Sequence, residues 1–168
     1  MDGDTLRDPR DAVYFFGEVN YETINELIDQ IRSRTPEKGT LDVIFTSIGG
    51  YNSVARGFHS WMSRFERKGN VRVVAAADVA SAALTVFLAF ERRATDPAAQ
   101  FRFHLLAPEM KSNDAAVAVM LAETERMLVD FIVERTTLES SMVRTLMEER
   151  HSLSGETLFQ AGICNERL

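Results

Sequence analysis

Cysteine is scarce in this sequence: among its 168 residues there is one, Cys164. A single cysteine cannot form a disulfide within the chain, and it argues against a zinc site built from cysteines. Proteins without disulfides are typical of reducing compartments, so we expect a cytoplasmic location.

Long apolar runs and excess positive charge are also lacking. The longest apolar stretch, residues 82–90, is too short to span a bilayer, and the charged residues 1–11 contain no apolar signal segment. The net charge of -6 argues against an extended basic surface for nucleic acids. The histidines show no metal-ligand spacing. We therefore expect no membrane or nucleic-acid partner, no metal site and no cofactor.

The remaining composition, 45% hydrophobic and 26% charged, is typical of one globular domain. We expect residues 1–11 to form a flexible N-terminal segment and residues 12–168 a single domain. Apolar periodicity predicts alternating elements, with strands at 12–16, 41–46, 71–77 and 101–105 and helices at 21–32, 53–68, 82–92 and 113–135, and a further helical segment ending near 150. This alternation predicts an α/β fold with a largely parallel sheet.

A glycine pair, Gly49-Gly50, follows the second predicted strand. In α/β sheets, sites lie at the carboxyl ends of strands, and glycines there let backbone N–H groups approach an oxyanion. Taken alone, the pair is explained more simply by a tight turn into the next helix.

Ser81 stands at the predicted start of a helix that follows the third strand. Unpaired N–H groups at a helix N-terminus stabilise negative charge developing nearby, which suits a nucleophile. Serine is also a common N-cap, and the G-x-S-x-G pattern is absent from the local sequence, VASAA at 79–83.

His104 lies on the fourth predicted strand, FRFHL at 101–105. Strand alternation puts Phe101, Phe103 and Leu105 on one face and Arg102 and His104 on the other. A histidine on the less apolar face can reach a site, although many such residues are ordinary surface histidines.

Taken together, five segments resemble the proteolytic subunit of Clp proteases. They are FGEV at 16–19, SIGG at 47–50 with Ile48 replacing the family's proline, VASAA at 79–83, FRFH at 101–104, and LS at 153–154 followed by AGI at 161–163. Their order and spacing follow the family from about residue 12 to the end. The resemblance implies a crotonase-like spiral of ββα units, with the long helix from Asn113 in a handle that mates rings.

Carried onto this chain, the resemblance implies a serine endopeptidase. Ser81 would be the nucleophile, His104 the general base, and the amides of Gly50 and Ala82 the oxyanion hole. It further implies homo-oligomeric rings that enclose a chamber, in which peptides or unfolded polypeptides are cleaved.

The family's third catalytic residue is an aspartate four residues before the serine of the LS pair, and Arg150 stands at that position. Arginine cannot accept a hydrogen bond from a histidine ring. Glu149 is our candidate replacement, after a shift of one residue, and Glu148 is a weaker one. The alternatives are that a backbone carbonyl orients His104, or that the site is inactive.

Two further departures concern partners. Only residues 1–11 precede the first predicted strand, whereas the family has a longer segment that engages an AAA+ unfoldase, so unfoldase docking is disfavoured. The handle segment 105–111 lacks glycine and contains Pro108, which removes one backbone donor for substrate pairing.

Two other functions compete with the peptidase. A catalytically impaired paralogue, acting as a structural or peptide-binding subunit, is favoured by Arg150. A crotonase-type acyl-CoA enzyme would also use the glycine pair, but Ser81 and His104 at Clp-like positions disfavour it.

Overall fold

The computed structural model describes residues 12–104 and 115–168. In these ranges six strands and six helices follow one another: β1 Val13–Phe16, α1 Tyr21–Arg34, β2 Leu41–Ser47, α2 Asn52–Arg64, β3 Val71–Ala80, α3 Ala82–Leu88, β4 Arg92–Thr95, β5 Gln100–Arg102, α4 Ala115–Arg135, α5 Ser140–Glu148, β6 Ser152–Ser154 and α6 Glu156–Gln160. The predicted flexible segment 1–11 lies outside the described residues, and the single domain over 12–168 stays a prediction.

The strands form one sheet in the order β1-β2-β3-β5-β6, with β4 also paired to β3. Strands β1 to β5 pair in parallel, and β6 runs antiparallel to β5. Because β3 is ten residues long, its first half pairs with β4 and its last three residues pair with β5. The predicted largely parallel sheet is confirmed.

Helix α1 shows how local sequence determines an element. Its N-cap Asn20 accepts a hydrogen bond from the N–H of Thr23, and the Thr23 hydroxyl accepts one from the N–H of Asn20. This capping box starts the helix at Tyr21, as the sequence predicts. The buried residues Ile24, Leu27 and Ile31 form its core-facing stripe.

Two predicted helices end too late. The helix predicted at 82–92 stops at Leu88, and Arg92–Thr95 forms β4, which the sequence analysis missed. The helix predicted at 53–68 stops at Arg64, before a short 3-10 turn over Lys68–Asn70. Strand β6 was missed as well, because three residues carry too little pattern to predict a strand.

Every residue of α3 is buried, and aromatic packing holds this helix on the sheet. The ring of Phe87 lies 6.3 Å from that of Phe45 and 4.9 Å from that of Phe101. Phe45 stacks in turn on Phe15 at 5.0 Å. The row connects β1, β2, α3 and β5, and so fixes the helix that begins directly after Ser81.

Two arginines hold the other end of α3. Arg135 donates to the carbonyls of Leu88 and Ala89, at 2.9 and 3.2 Å. Buried Arg93 donates to the carbonyls of Phe90 at 2.8 Å and Ile163 at 2.7 Å. Burial, with the charge of Arg135, lowers the pKa of Arg93. The carbonyl dipoles at the C-terminus of α3 stabilise these two positive charges. The hydrogen bond from Arg93 to Ile163 also connects the C-terminal segment to the end of α3.

Candidate active site

Ser81 joins β3 to α3 in a conformation that glycine favours. Its φ is 55° and its ψ is -132°. Gly155 leads into α6 with almost the same angles, φ 54° and ψ -132°. A side chain in such a region costs about 1–3 kcal/mol. The chain therefore has a serine in a turn for which it uses glycine elsewhere.

This turn has the character of a nucleophile elbow, in which a serine on a strained strand-to-helix turn exposes its Oγ. The predicted position of Ser81 at the start of the helix is confirmed. The backbone strain was not predictable from VASAA, because no glycine marks the turn.

Gly49 lies directly against Ser81. A Cβ placed on Gly49 would come within 2.6 Å of the Ser81 Cβ and 3.1 Å of its Oγ. The backbone φ of +113° is again one that glycine favours. The N–H of Gly49 donates to the Ser47 hydroxyl at 3.1 Å, which holds the turn in place.

The amide of Gly50 is oriented by its neighbours. The carbonyl of Gly49 accepts from Val19 N–H at 2.8 Å, and the N–H of Tyr51 donates to the Val19 carbonyl at 2.8 Å. A trans peptide points its N–H opposite to its carbonyl, so the Gly50 N–H points away from Val19. Since β2 lies between β1 and β3, that direction is the side on which Ser81 lies.

A second amide is available at Ala82, the first residue of α3. The first N–H groups of a helix have no partner within it. In residues 12–104 and 115–168, neither the Gly50 nor the Ala82 N–H is engaged in a backbone hydrogen bond. Both remain predicted oxyanion donors.

His104 follows the strand next to Ser81. The register pairs Ala80 of β3 with Arg102 of β5, so Ser81 and His104 leave the same edge of the sheet from adjacent parallel strands. Phe101 and Phe103 are buried, whereas Arg102 is exposed and His104 half-buried. The predicted alternation is therefore confirmed as far as His104, and Leu105 lies outside the described residues.

The antiparallel pairing of β5 with β6 brings Arg150 towards His104. Arg102 pairs with Ser152, and the N–H of Phe103 donates to the His151 carbonyl at 2.9 Å. Continuing this register sets Arg150 opposite His104. The position that the resemblance gives to an aspartate is thus occupied by arginine, in the turn between α5 and β6.

Arg150 has a left-handed backbone, with φ 54°. It ends α5 in a Schellman motif, in which the N–H of His151 donates to the Leu146 carbonyl at 2.9 Å and that of Arg150 to the Met147 carbonyl at 3.3 Å. Asparagine, aspartate and glycine suit this conformation better than arginine does.

Glu149, the candidate third member, interacts with a different histidine. Its Oε2 lies 2.6 Å from Nε2 of His151, and both side chains are exposed. The role of Glu149 at His104 stays a prediction. The pair with His151 was not foreseen, because it depends on the left-handed turn at Arg150.

An open groove of about 470 Å³ runs beside the glycine pair. Glu18 and Asp78 line it together with Ser47 and Gly50. Asp78 also pairs with Arg102, with 2.9 Å between Oδ1 and Nη2. Neither carboxylate was predicted from the sequence to lie beside the site.

Cys164 is unsuited to nucleophilic chemistry. It is buried, and burial raises the pKa of its thiol to about 12 despite the opposing charge of Arg93. Among the described residues, no three histidine, cysteine, aspartate or glutamate side chains converge as a metal site. The same part of the chain has no helix of the length and apolarity needed to cross a bilayer.

Comparison with known proteins finds no matching family model and no matching curated protein. Solved structures do match. ClpP1 from Listeria monocytogenes has a TM-score of 0.77 and 22% identity, over 94% of this chain and 90% of that chain. A ClpP1 mutant from the same bacterium, with aspartate in place of an asparagine, has a TM-score of 0.79 and 22% identity, over 94% and 91%. The chain has the ClpP fold.

The ClpP fold confirms the α/β class and the ClpP-like architecture that the sequence resemblance implied. It accounts for the spatial neighbourhood of Gly49, Ser81 and His104. At 22% identity the likeness concerns the fold, and the chemistry of these residues must be argued from their own geometry.

The strain at Ser81 generates a prediction about stability. Ser81→Gly should raise the free energy of unfolding by about 1 kcal/mol, because glycine adopts the turn without a Cβ clash. Ser81→Ala retains the Cβ and should give no such gain. Urea unfolding of both variants measures the difference.

Gly155→Ala is the matched control for this experiment, since it introduces a Cβ into almost the same turn and should lower stability by a similar amount. Equal stabilities of the Ser81→Gly and Ser81→Ala variants would show that the turn is not strained.

Proposed function

We propose that this chain is a ClpP-like serine peptidase subunit that hydrolyses peptides or unfolded polypeptides. The observation that carries the proposal is Ser81 in its strained turn, with Gly49 against its side chain and the N-terminus of α3 behind it. His104 at the end of the adjacent strand supports the assignment of a general base.

In the proposed mechanism, His104 removes the Ser81 proton as Oγ attacks the peptide carbonyl. The tetrahedral oxyanion accepts hydrogen bonds from the N–H groups of Gly50 and Ala82. The C–N bond then breaks, His104 protonates the departing amine, and an acyl-enzyme remains. A water molecule, deprotonated by His104, attacks the ester and releases the acid product.

Arg150 sets the expected rate. Loss of the orienting carboxylate of a serine triad lowers turnover by about 10⁴ and leaves residual catalysis. A guanidinium beside the base would also disfavour the imidazolium that forms when Ser81 attacks. We therefore expect slow hydrolysis, with Glu149 as the proposed partial substitute for the missing carboxylate.

The nucleophile is tested by an active-site probe. A fluorophosphonate should label the native chain slowly and exclusively at Ser81, and should not label the Ser81→Ala variant, as measured by intact mass and peptide mapping. Unfolded protein is the control and should remain unlabelled. Absence of labelling in the native protein would rule out the peptidase.

A non-catalytic, peptide-binding paralogue is the second candidate, and Arg150 is the observation that favours it. Because the register of β5 with β6, extended beyond His151, sets Arg150 opposite His104, the missing carboxylate can be restored by a single substitution. The two candidates predict different results for this substitution: the peptidase should hydrolyse peptides faster, and the non-catalytic paralogue should still not hydrolyse them.

Arg150→Asp should increase peptide hydrolysis at least tenfold, since aspartate tolerates the left-handed backbone and can accept from the histidine ring. Arg150→Asn, which removes the cation without adding a negative charge, should give a smaller increase. Initial rates on a fluorogenic peptide measure both. No hydrolysis by either variant would favour the paralogue.

Self-association is proposed from the exposed apolar residues of α4. Val119, Met120 and Met127 are exposed on this helix, in a chain with the ClpP fold. Large exposed apolar side chains that cluster on one surface are typical of interfaces. The family that the sequence resembles uses its handle helix in ring assembly.

We expect an oligomer by native mass spectrometry at micromolar concentration, and a smaller assembly for Met120→Glu, which puts a charge into the proposed interface. Glu26→Gln, which changes an exposed carboxylate on α1, is the control and should leave the mass unchanged. A strictly monomeric native chain would contradict the proposal.

A further inference from the structure

A cavity of about 190 Å³ lies between α2, α3 and α4. Thr85, which lines it from α3, is one helical turn beyond Ser81. Asn52, which lines it from α2, follows Gly50 by two residues. The cavity is therefore lined by residues close in sequence to Ser81 and Gly50, and it shares no lining residue with the open groove at Glu18.

Thr85 is a buried polar residue in the wall of the cavity. The residue is only 5% exposed, and the cavity is the space that its side chain meets. In the part of the chain that the structure describes, its hydroxyl makes no hydrogen bond. Among the described residues no buried side-chain polar atom lacks a partner, so the Thr85 hydroxyl remains accessible from the cavity, where a polar group can bind it. A polar group of a bound molecule would supply that partner.

The cavity is bordered by a positive charge. Of the residues that line it, Arg56 is the ionised one, and its Nη1 has only a weak contact, 3.5 Å from the Met127 sulfur. His59 also lines the cavity, with its ring edge-on to Phe131 at 4.8 Å. Burial and the charge of Arg135 lower the pKa of His59, against the opposing effect of Glu134, and so favour the uncharged ring.

The walls of the cavity also restrict the shape of a ligand. Met127, Leu128 and Phe131 of α4 form an apolar side, opposite the polar residues of α2. A ligand that fits both sides has a short apolar stem and a polar, negatively charged end. An apolar side chain would leave the Thr85 hydroxyl without a partner, and a basic one would be repelled by Arg56.

We propose that this cavity receives an acidic side chain of the substrate, with glutamate as the best fit, and that Arg56 and Thr85 bind its carboxylate. The inference rests on the proposed function and names the substrate class of that site. It makes Arg56 a specificity-determining residue, because its charge selects which peptides are held beside Ser81.

Binding tests this inference independently of hydrolysis. The probes are fluorescein-labelled, C-terminally amidated alanine hexapeptides with one central Glu, Gln, Leu or Lys. Fluorescence anisotropy with the Ser81→Ala chain and with the wild-type chain gives their affinities. The Glu peptide should bind about tenfold more tightly than the Gln peptide, as expected for a charge-assisted hydrogen bond.

Substitutions then identify the groups responsible. Arg56→Gln should remove the preference for Glu over Gln, and Arg56→Glu should make the Lys peptide the tightest binder. Arg56 is exposed, so both variants should fold. Arg64→Glu is the matched control: it reverses an exposed charge on the same helix without lining the cavity, and should keep the preference for Glu. Thr85→Val should weaken the Glu and Gln peptides and leave the Leu peptide unchanged.

Equal affinities for the Glu, Gln and Lys peptides, or no binding of any peptide, would overturn the inference. So would a preference for Glu that survives Arg56→Gln, or an unchanged affinity for the Glu peptide in Thr85→Val. Failure of the proposed function looks different. A chain that ranks the peptides as expected but hydrolyses none of them refutes the peptidase and retains the acidic-side-chain cavity.

Discussion

The position of α3 is the constraint on which the site depends. Phe87 is held between Phe45 and Phe101, and Arg135 and Arg93 bind the carbonyls at the far end of the helix. Fully burying one phenylalanine stabilises a fold by about 1.5–3 kcal/mol, comparable to the cost of one strained residue. The packing of α3 can therefore impose on Ser81 the sharp turn that leaves β3.

The turn at Gly49 and Gly50 packs against Ser81 on the side opposite α3. At Gly49 a side chain would collide with Ser81, and at Gly50 a Cβ would come within 2.3 Å of the Val19 carbonyl. The same contact with Val19 engages the carbonyl of Gly49 and leaves the Gly50 N–H pointing away from Val19. Close packing and the orientation of a hydrogen-bond donor thus have one structural cause, the pairing of the turn with Val19.

The elements predicted correctly are those in which a local sequence signal and the tertiary environment favour the same structure. The start of α1 followed from Asn20 and the apolar stripe, and the inward-facing residues of β5 from the alternation around His104. It failed at β4, where the buried Arg93 is satisfied by carbonyls that are distant in sequence. The strain at Ser81 and the pairing of Glu149 with His151 also depend on backbone conformations that no local pattern encodes.

The two proposed functions make different demands on Ser81. A paralogue without catalysis has no use for a serine Oγ in a strained turn, and glycine would stabilise the same turn, as Gly155 does before α6. Strain that is kept at a cost to stability is characteristic of functional sites. Arg150 indicates a weakened triad. Its left-handed backbone, however, is the conformation that ends α5, and this requirement does not depend on the side chain. The loss of stability caused by the backbone strain at Ser81 therefore favours a slow peptidase over an inactive subunit.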